Sequence, residues 1–461
     1  MRRSAWAAAV LAAAAIGLLT AAGGASGAGP VAHPISVSPL IQGHSSAGPN
    51  HTFSCQNRPM DDSAGPRCYQ ASQIQNAYNV TPLLDRGING TGRTIVIIDA
   101  YGSPTITADL HDFDTAMGLP DPSFSVITPA GAPPAFDPND GNQIGWGVET
   151  SLDVEWAHAI APGARIVLAV APSNNDSDIL NVLKYVVDNH VGDVLSQSYG
   201  EAEQCMDPSL LAIQHQEFAK AAAEGMTVFA SSGDSGASQP SCDPNSTAAL
   251  FAVSTPASDP YVTGVGGTTL TADTTTGAYI GETAWTEPFG CNPPAVAPND
   301  VNCSGGGFST LFRRPAFQAS TFKGAARLGR GVPDVAYNAG VTGGVLVHIG
   351  FYLQLLGYPA DAPIFFIVGG TSAGSPQWAG LAADADQLAG RAVGDINPAL
   401  YSISQAKSQY SVALHDITTG DNDVAELGGA GYNAGTGWDP VTGLGSPNAA
   451  NLLPLIVAKT S

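Results

Sequence analysis

Apolar runs rich in β-branched residues alternate with helical stretches from residue 68 onward. The first run is Thr94–Ala100 (TIVIIDA), and a helical pattern follows at Ile106–Met117. The alternation continues to residue 233, with strands predicted at 164–171, 193–199 and 226–233 and helices at 178–189 and 209–225. Near-continuous apolar strands joined by helices are typical of a parallel sheet covered on both faces. We therefore predict an α/β fold with a mainly parallel, doubly wound sheet.

The pattern also predicts how the chain divides. A last strand at 365–370 (FFIVGG) leads directly into a helix that begins within TSAGSPQWAG, and no clear linker or internal repeat interrupts residues 68–461. We predict one large domain over 68–461. Residues 29–67 are rich in Ser, Pro, Gly, His and Asn without hydrophobic period, so we predict a short extended leader there.

The N-terminus has the pattern of an export signal. Arg2 and Arg3 precede an uncharged run at 5–22 and small residues at 23–28, which predicts a signal peptide over 1–28. A membrane anchor is the alternative, but the run is Ala-rich and ends in Gly and Ser rather than in charge. We expect a secreted, extracellular protein with no stable membrane association after cleavage.

Composition narrows the function classes. Hydrophobic residues make up 44% of the 461 and charged residues 12%, about half the usual charged share of about 25%, so the chain is globular rather than disordered. The net charge of -22 would repel phosphate backbones, and we expect no nucleic-acid partner. We expect a monomer.

The cysteines are even in number and form no C-x-x-C pair, which suits disulfides in an exported protein. Six cysteines allow fifteen connectivities. Pairing nearest neighbours closes the smallest loops, so we predict Cys55 with Cys68, Cys205 with Cys242 and Cys291 with Cys303.

Three places carry candidate chemistry. Ser372 (GGTSAGSP) follows a strand and opens a helix whose N–H groups can face a developing oxyanion, although serine there also serves as an ordinary cap. Glu149 and Asp153 lie on one face of a mainly apolar helix, either as two solvated carboxylates or as a partly buried pair of which one holds a proton in mild acid. Asp234 (SSGDSG) ends a strand, a setting in which Asp is usually structural.

These places resemble the sedolisin family, the serine-carboxyl peptidases. The matching segments run in order from QIQNAYNVTPLL and TIVIIDAYGSPT through the spacing of Glu149 and Asp153, SYGE, SSGDSG, YVTGVGGT, SGGGFS, RGVPDVAYNA and GGTSAGSPQWAG to HDITTG and GTGWDPVTGLGSP. Each motif alone is weak, but the ordered set covers essentially residues 68–461. The resemblance implies a subtilisin-like fold and a serine-type endopeptidase that acts on proteins or peptides in acid, with tripeptide release as the alternative activity.

The resemblance also implies a role for each candidate. It makes Ser372 the nucleophile, Glu149 the general base, and Asp153 the partner that orients Glu149 and shares its proton. It makes Asp234 the oxyanion donor, which must be protonated to donate a hydrogen bond. The implied chemistry is therefore tied to acid.

Two further sets of residues follow from the resemblance. The edge on which a peptide substrate adds as a strand consists of Ser198, Tyr199 and Gly200. A calcium site consists of the carboxylates of Asp416 and Asp439 and the main-chain oxygens of Ile417, Gly435 and Gly437. Ligation by oxygen alone suits Ca²⁺, and without the resemblance this stretch is a Gly-rich loop.

Two features depart from the family pattern. Family members are usually made with a domain-sized propeptide, whereas about forty residues separate the predicted cleavage site from Cys68 here, so we predict that a domain-sized propeptide is lacking. Gly374 stands where the family often has Ser, a change that we expect to affect packing more than chemistry.

Two other functions compete with this interpretation. A subtilisin-type peptidase shares GTSA after a strand, and Asp99 sits where such enzymes keep a triad Asp, but no HGTHVAG-like segment supplies their histidine. Asp99 is therefore predicted to be structural. A catalytically silent exported binding module on the same fold is the other alternative, because fold alone does not give function.

Overall fold

The structure is a computed structural model that describes residues 34–460 apart from positions 36, 38–39, 49, 61–63, 244–245, 247, 287–301, 322–327 and 425–426. The described residues belong to one compact unit, Ala32–Ser461. The predicted signal peptide over 1–28 lies outside the described residues.

An eight-stranded sheet forms the centre of the fold. In spatial order, seven of its strands are Tyr279–Ala284, Thr263–Ala272, Thr227–Ser231, Val194–Gln197, Thr94–Ala100, Arg165–Ala171 and Phe124–Ile127, and the eighth is Val335–Asn338, which pairs with Thr263–Ala272. All pairs are parallel except the one that Tyr279–Ala284 makes. The predicted mainly parallel sheet is confirmed.

Helices cover both faces of this sheet. Alternate side chains of a strand point to opposite sides, so the apolar strands present an apolar surface on each face. Ile97 packs in one core with the helices Gly141–Ile160 and Gly374–Ala389, whereas its neighbour Ile98 packs in another with the helices Asp176–Asp188 and Pro208–Ala223. No helix in the described part combines the length and apolar content needed to cross a membrane. The described helices, in chain order, are α1 (Ala71–Ala77), α2 (Thr81–Leu84), α3 (Ile106–Met117), α4 (Gly141–Ile160), α5 (Asp176–Asp188), α6 (Pro208–Ala223), α7 (Gly350–Leu355), α8 (Gly374–Ala389), α9 (Asn397–Gln405), α10 (Lys407–Ala413) and α11 (Ala449–Lys459).

The strand that leads to Ser372 lies in a second sheet of five strands. Their spatial order is Thr52–Phe53, Leu40–Gly48, Ile364–Gly369, Gly344–Val347 and Cys68–Tyr69. The predicted leader therefore supplies a nine-residue strand, Leu40–Gly48, which pairs antiparallel with Ile364–Gly369. Its sequence, LIQGHSSAG, shows no regular alternation of hydrophobic and polar residues. Main-chain hydrogen bonds to the neighbouring strand hold it in place, and these bonds do not require such a pattern.

Four two-stranded pairs complete the described strands. They are Glu201–Ala202 with Ser254–Thr255, Ser238–Pro240 with Ala249–Phe251, Gly307–Arg313 with Gly329–Val332, and Leu414–His415 with Ser446–Pro447.

Two of the predicted disulfides are present. They join Cys55 to Cys68 and Cys205 to Cys242. Cys303 is also disulfide-bonded, and its predicted partner, Cys291, lies outside the described residues.

Candidate active site

Ser372 lies in a tight turn between a strand and a helix. The strand Ile364–Gly369 ends just before Gly370, and α8 begins two residues after the serine. Gly370 has a φ of 107°, and a Cβ atom on it would lie 2.7 Å from Asp234 Oδ2, so a glycine is needed for this close approach. The Ser372 hydroxyl donates to the main-chain oxygen of Ser198 at 3.3 Å. The serine therefore stands beside both Asp234 and the end of a strand of the parallel sheet.

Glu149 and Asp153 lie on the buried side of α4, whose first turn is capped by the Asp140 side chain. Their exposed fractions are 1% and 0%, so they are not two solvated carboxylates. Burial raises the pKa of both carboxyls well above their ordinary values. The nearby Ser372 hydroxyl lowers the pKa of Glu149 against this rise, and the Ser198 hydroxyl does the same for Asp153.

A third buried carboxyl, Asp99, lies beside this pair. It stands near the end of the strand Thr94–Ala100 and is fully buried. Burial raises the pKa of Asp99 to about 7, and its charge raises the pKa of Glu149 and of Asp153. Because the charges of buried carboxylates repel one another, ionisation of one of these acids disfavours ionisation of the other two. Asp99 was predicted to be structural, and the structure places it beside the two candidate carboxyls. The sequence signal for this position is an acid at the end of an apolar strand.

Asp234 follows the strand Thr227–Ser231 and is held by Thr371. The Thr371 N–H and hydroxyl donate to its Oδ1 at 2.8 and 2.6 Å. Burial raises the pKa of Asp234, and the two bonds from Thr371 lower it in part. The charge of Asp234 also raises the pKa of Glu149, so the two acids lie close together.

The predicted substrate edge, residues 198–200, directly follows a strand of the parallel sheet. The Tyr199 ring is buried, and its hydroxyl donates to Gln197 Oε1 at 2.8 Å. A Cβ atom on Gly200 would lie 2.1 Å from Ser254 Oγ. Because the tyrosine side chain points into the core, this segment can offer a substrate its main chain but not the Tyr199 ring.

A cleft of about 330 Å³ lies over Ser372, Asp234 and residues 198–200. Pro34 and Val37 of the predicted leader also line it. Its described lining includes no Lys, Arg or His. The cleft therefore joins the nucleophile candidate, the oxyanion candidate and the substrate edge in one acidic cavity.

The predicted calcium residues come together around a Gly-rich loop. The Gly437 N–H donates to Asp416 Oδ1 at 2.9 Å, and the Gly435 N–H donates to Asp439 Oδ2 at 2.9 Å. Within the described part of the chain, neither carboxylate forms an ion pair with a basic side chain, and no group of three or more His, Cys, Asp or Glu side chains is placed to hold a metal. Ile417, the fifth residue of the predicted set, is buried.

Known proteins resemble the chain over most of its length. It is 36% identical over 411 residues to kumamolisin from Bacillus sp. (strain MN-32), covering 87% of this chain and 65% of kumamolisin. It is 30% identical over 389 residues to sedolisin from Pseudomonas sp. (strain 101), covering 84% of this chain and 59% of sedolisin. The chain thus spans less than two thirds of the length of these relatives. No family model matches the chain.

A solved structure of Pseudomonas sedolisin, a serine-carboxyl proteinase complexed with two molecules of pseudo-iodotyrostatin, matches the fold. The TM-score is 0.69 at 27% identity, over 86% of this chain and 100% of that chain. The chain belongs to the sedolisin family. The subtilisin-like α/β fold predicted from the sequence is confirmed, and the sedolisin-family assignment replaces the alternative of a subtilisin-type peptidase.

Proposed function

We propose that the chain is a secreted serine endopeptidase that acts in acid on proteins or peptides. The observation that carries the proposal is that the Ser372 hydroxyl lies near enough to the buried Glu149 carboxyl to lower its pKa, beside Asp234, in a chain of the sedolisin family. Signal-peptide cleavage after residue 28 would release the protein from the cell.

Ser372 attacks the carbonyl carbon of the peptide bond. As the new C–O bond forms, Glu149 accepts the hydroxyl proton and the carbonyl electron pair moves onto the oxygen. Asp153 lies one helical turn from Glu149 and shares the proton that Glu149 acquires. A carboxylate thus takes the part that histidine takes in other serine peptidases.

Asp234 stabilises the charge that develops on the carbonyl oxygen. Because Thr371 donates twice to Oδ1, a proton on Asp234 belongs on Oδ2, where it can be donated to the oxyanion. Burial raises the pKa of Asp234, which keeps this proton in place over a wider acidic range. The need for it ties the reaction to acid.

The tetrahedral intermediate then collapses. Glu149 gives its proton to the leaving amine as the C–N bond breaks, which leaves an acyl group on Ser372. In the second half, Glu149 takes a proton from water as the water oxygen attacks the acyl carbon, and it returns a proton to the Ser372 oxygen as the acid product leaves. The enzyme is regenerated with atoms and protons balanced.

Calcium is the proposed cofactor. The convergence of Asp416 and Asp439 on one loop without a basic partner fits a divalent cation, and the oxygens of Ile417, Gly435 and Gly437 would complete the set. Bound Ca²⁺ would neutralise the two carboxylates and hold the loop. No step of the peptide cleavage passes through it.

The test is digestion of an acid-unfolded protein at about pH 4 by purified material and by a Ser372→Ala variant. We expect peptides from the wild type and a loss of at least about a thousandfold in the variant. Equal digestion by both proteins would remove Ser372 as the nucleophile. A folded wild type that binds peptides without cutting them would support the silent binding module instead.

A further inference from the structure

One wall of the cleft carries an acid that takes no part in bond cleavage. Glu201 comes directly after the substrate edge and begins the short strand Glu201–Ala202. Its side chain lines the same cleft as Ser372. Its Oε1 is hidden from solvent and has no hydrogen-bond partner in the described part of the chain.

A carboxyl oxygen that is hidden from water is unfavourable unless something binds it, and the Glu201 side chain is partly buried. Burial, followed by the charge of Asp176 at the start of α5, raises the pKa of Glu201 to about 8. In acid the side chain is therefore a neutral group in the free protein, and no basic side chain in the described residues forms an ion pair with it.

A second polar group of the cleft also lacks a partner. Gln239, on the strand Ser238–Pro240, is only 5% exposed and lines the cleft. Its Nε2 is buried without a hydrogen bond to the described residues, and a Cβ atom on Gly233 would lie 2.7 Å from it. Two walls thus present polar atoms that the protein itself leaves unpaired, which is expected where a substrate supplies the partners.

The charges of the cleft decide what kind of group fits. Of the Asp, Glu, Lys, Arg and His residues in its described lining, all are acidic, and they are Glu201, Asp234 and Asp243. We propose that Glu201 selects peptide substrates with a basic side chain, a guanidinium or an ammonium, at the position that faces it. The cation forms an ion pair with the carboxylate while the Glu201 proton leaves to solvent. This inference rests on the proposed peptidase function.

The experiment compares paired peptides that differ at one position, with arginine in one and the uncharged isostere citrulline in the other. Such a pair is made for each position before the cleaved bond in turn, and kcat/KM is measured for every peptide at one acidic pH. At one position we expect the wild type to prefer arginine by about tenfold or more. Glu201→Gln should bring this ratio close to one while cleaving the citrulline peptide as fast as the wild type does.

Asp243→Asn is the matched control, because it removes one acid from the same cleft. It should keep the preference for arginine. An equal loss of preference in both variants would assign the effect to the overall charge of the cleft and overturn the role of Glu201, as would a wild type without preference at any position. If neither peptide is cut, the proposed peptidase function fails first.

Discussion

Thr371 donates both its N–H and its hydroxyl to a single oxygen of Asp234, at 2.8 and 2.6 Å. The other oxygen of the carboxyl lies on the side of Gly370, at the turn that carries Ser372. The residue just before the nucleophile candidate thus fixes the orientation of the oxyanion candidate. The first two predictions test this relationship.

Replacing Asp234 by Asn should change the shape of the pH profile. The amide oxygen can accept both bonds from Thr371, and the NH₂ group then supplies a donor that does not titrate. We expect a slower enzyme at pH 4, by less than the roughly 10²–10³ lost when an oxyanion donor is removed, and a shallower fall toward neutral pH. The measurement is kcat/KM from pH 3 to 7 on one peptide.

Asp234→Ala is the control for this variant, because it has no donor at all. It should lose the full factor at pH 4, and its difference from the wild type should shrink toward neutral pH as the wild-type Asp234 loses its proton. An Asn variant with the activity and the acid-limited profile of the wild type would contradict the role of Asp234 as oxyanion donor.

Replacing Thr371 by Val should extend activity toward neutral pH. The threonine bonds favour the ionised form and so lower the pKa of Asp234; without the hydroxyl, the pKa rises and the protonated donor persists to higher pH. We expect the fall of kcat/KM toward neutral pH to occur at a pH that is higher by less than about one unit, since one hydrogen bond is worth about 1 kcal/mol. Thr371→Ser keeps the hydroxyl, so the pH at which kcat/KM falls should not change. If this pH is also unchanged in the Val variant, the prediction is wrong.

The sequence predicts the regular parts of this protein better than its contacts. The strand Thr94–Ala100 and the helix Ile106–Met117 appear with the predicted bounds, because their patterns are local. The strand Leu40–Gly48 was not predicted, since its hydrogen bonds go to a segment far along the chain. The position of Asp99 beside Glu149 and Asp153 was not predicted, because only the folded structure brings these three residues together.

Stability should be greatest in acid. Asp384 of α8 is fully buried, both of its oxygens lack a hydrogen bond to the described residues, and burial raises its pKa well above 3.8. The folded state therefore holds this proton more tightly than the unfolded state does, so its stabilising effect is complete below the unfolded pKa and is lost as pH rises toward the folded pKa. Burial also raises the pKa of Asp386 and of Asp395 to about 7, with the same sign. We expect the melting temperature to fall by several degrees between about pH 4 and 7.

Asp384→Asn isolates one part of this effect. The amide has nearly the same volume and does not titrate, so the melting temperature of the variant should fall less over the same range. Asp273→Asn serves as a control, because Asp273 is only partly buried and hydrogen bonds from Thr276 and Thr275 lower its pKa. Identical slopes for wild type and Asp384→Asn would show that Asp384 does not hold a proton in the folded state.

Removing calcium should destabilise the protein before it affects the chemistry. A chelator at constant pH is expected to lower the melting temperature, and added Ca²⁺ but not Mg²⁺ should restore it, since the set of carboxylates and carbonyls suits the larger ion. Asp416→Asn should reduce the response. Calorimetric scans that coincide with and without chelator would rule out the site.

The strand Leu40–Gly48 joins the predicted leader to the strand that leads into the turn of Ser372. It covers one edge of Ile364–Gly369, which pairs on its other edge with Gly344–Val347 and continues into the turn of Ser372. Trimming the chain beyond residue 48 would uncover the main-chain groups of that strand next to Ser372. The strand Leu40–Gly48 is thus part of the folded sheet beside this turn, and we expect that proteolysis which removed it would lower activity and solubility together.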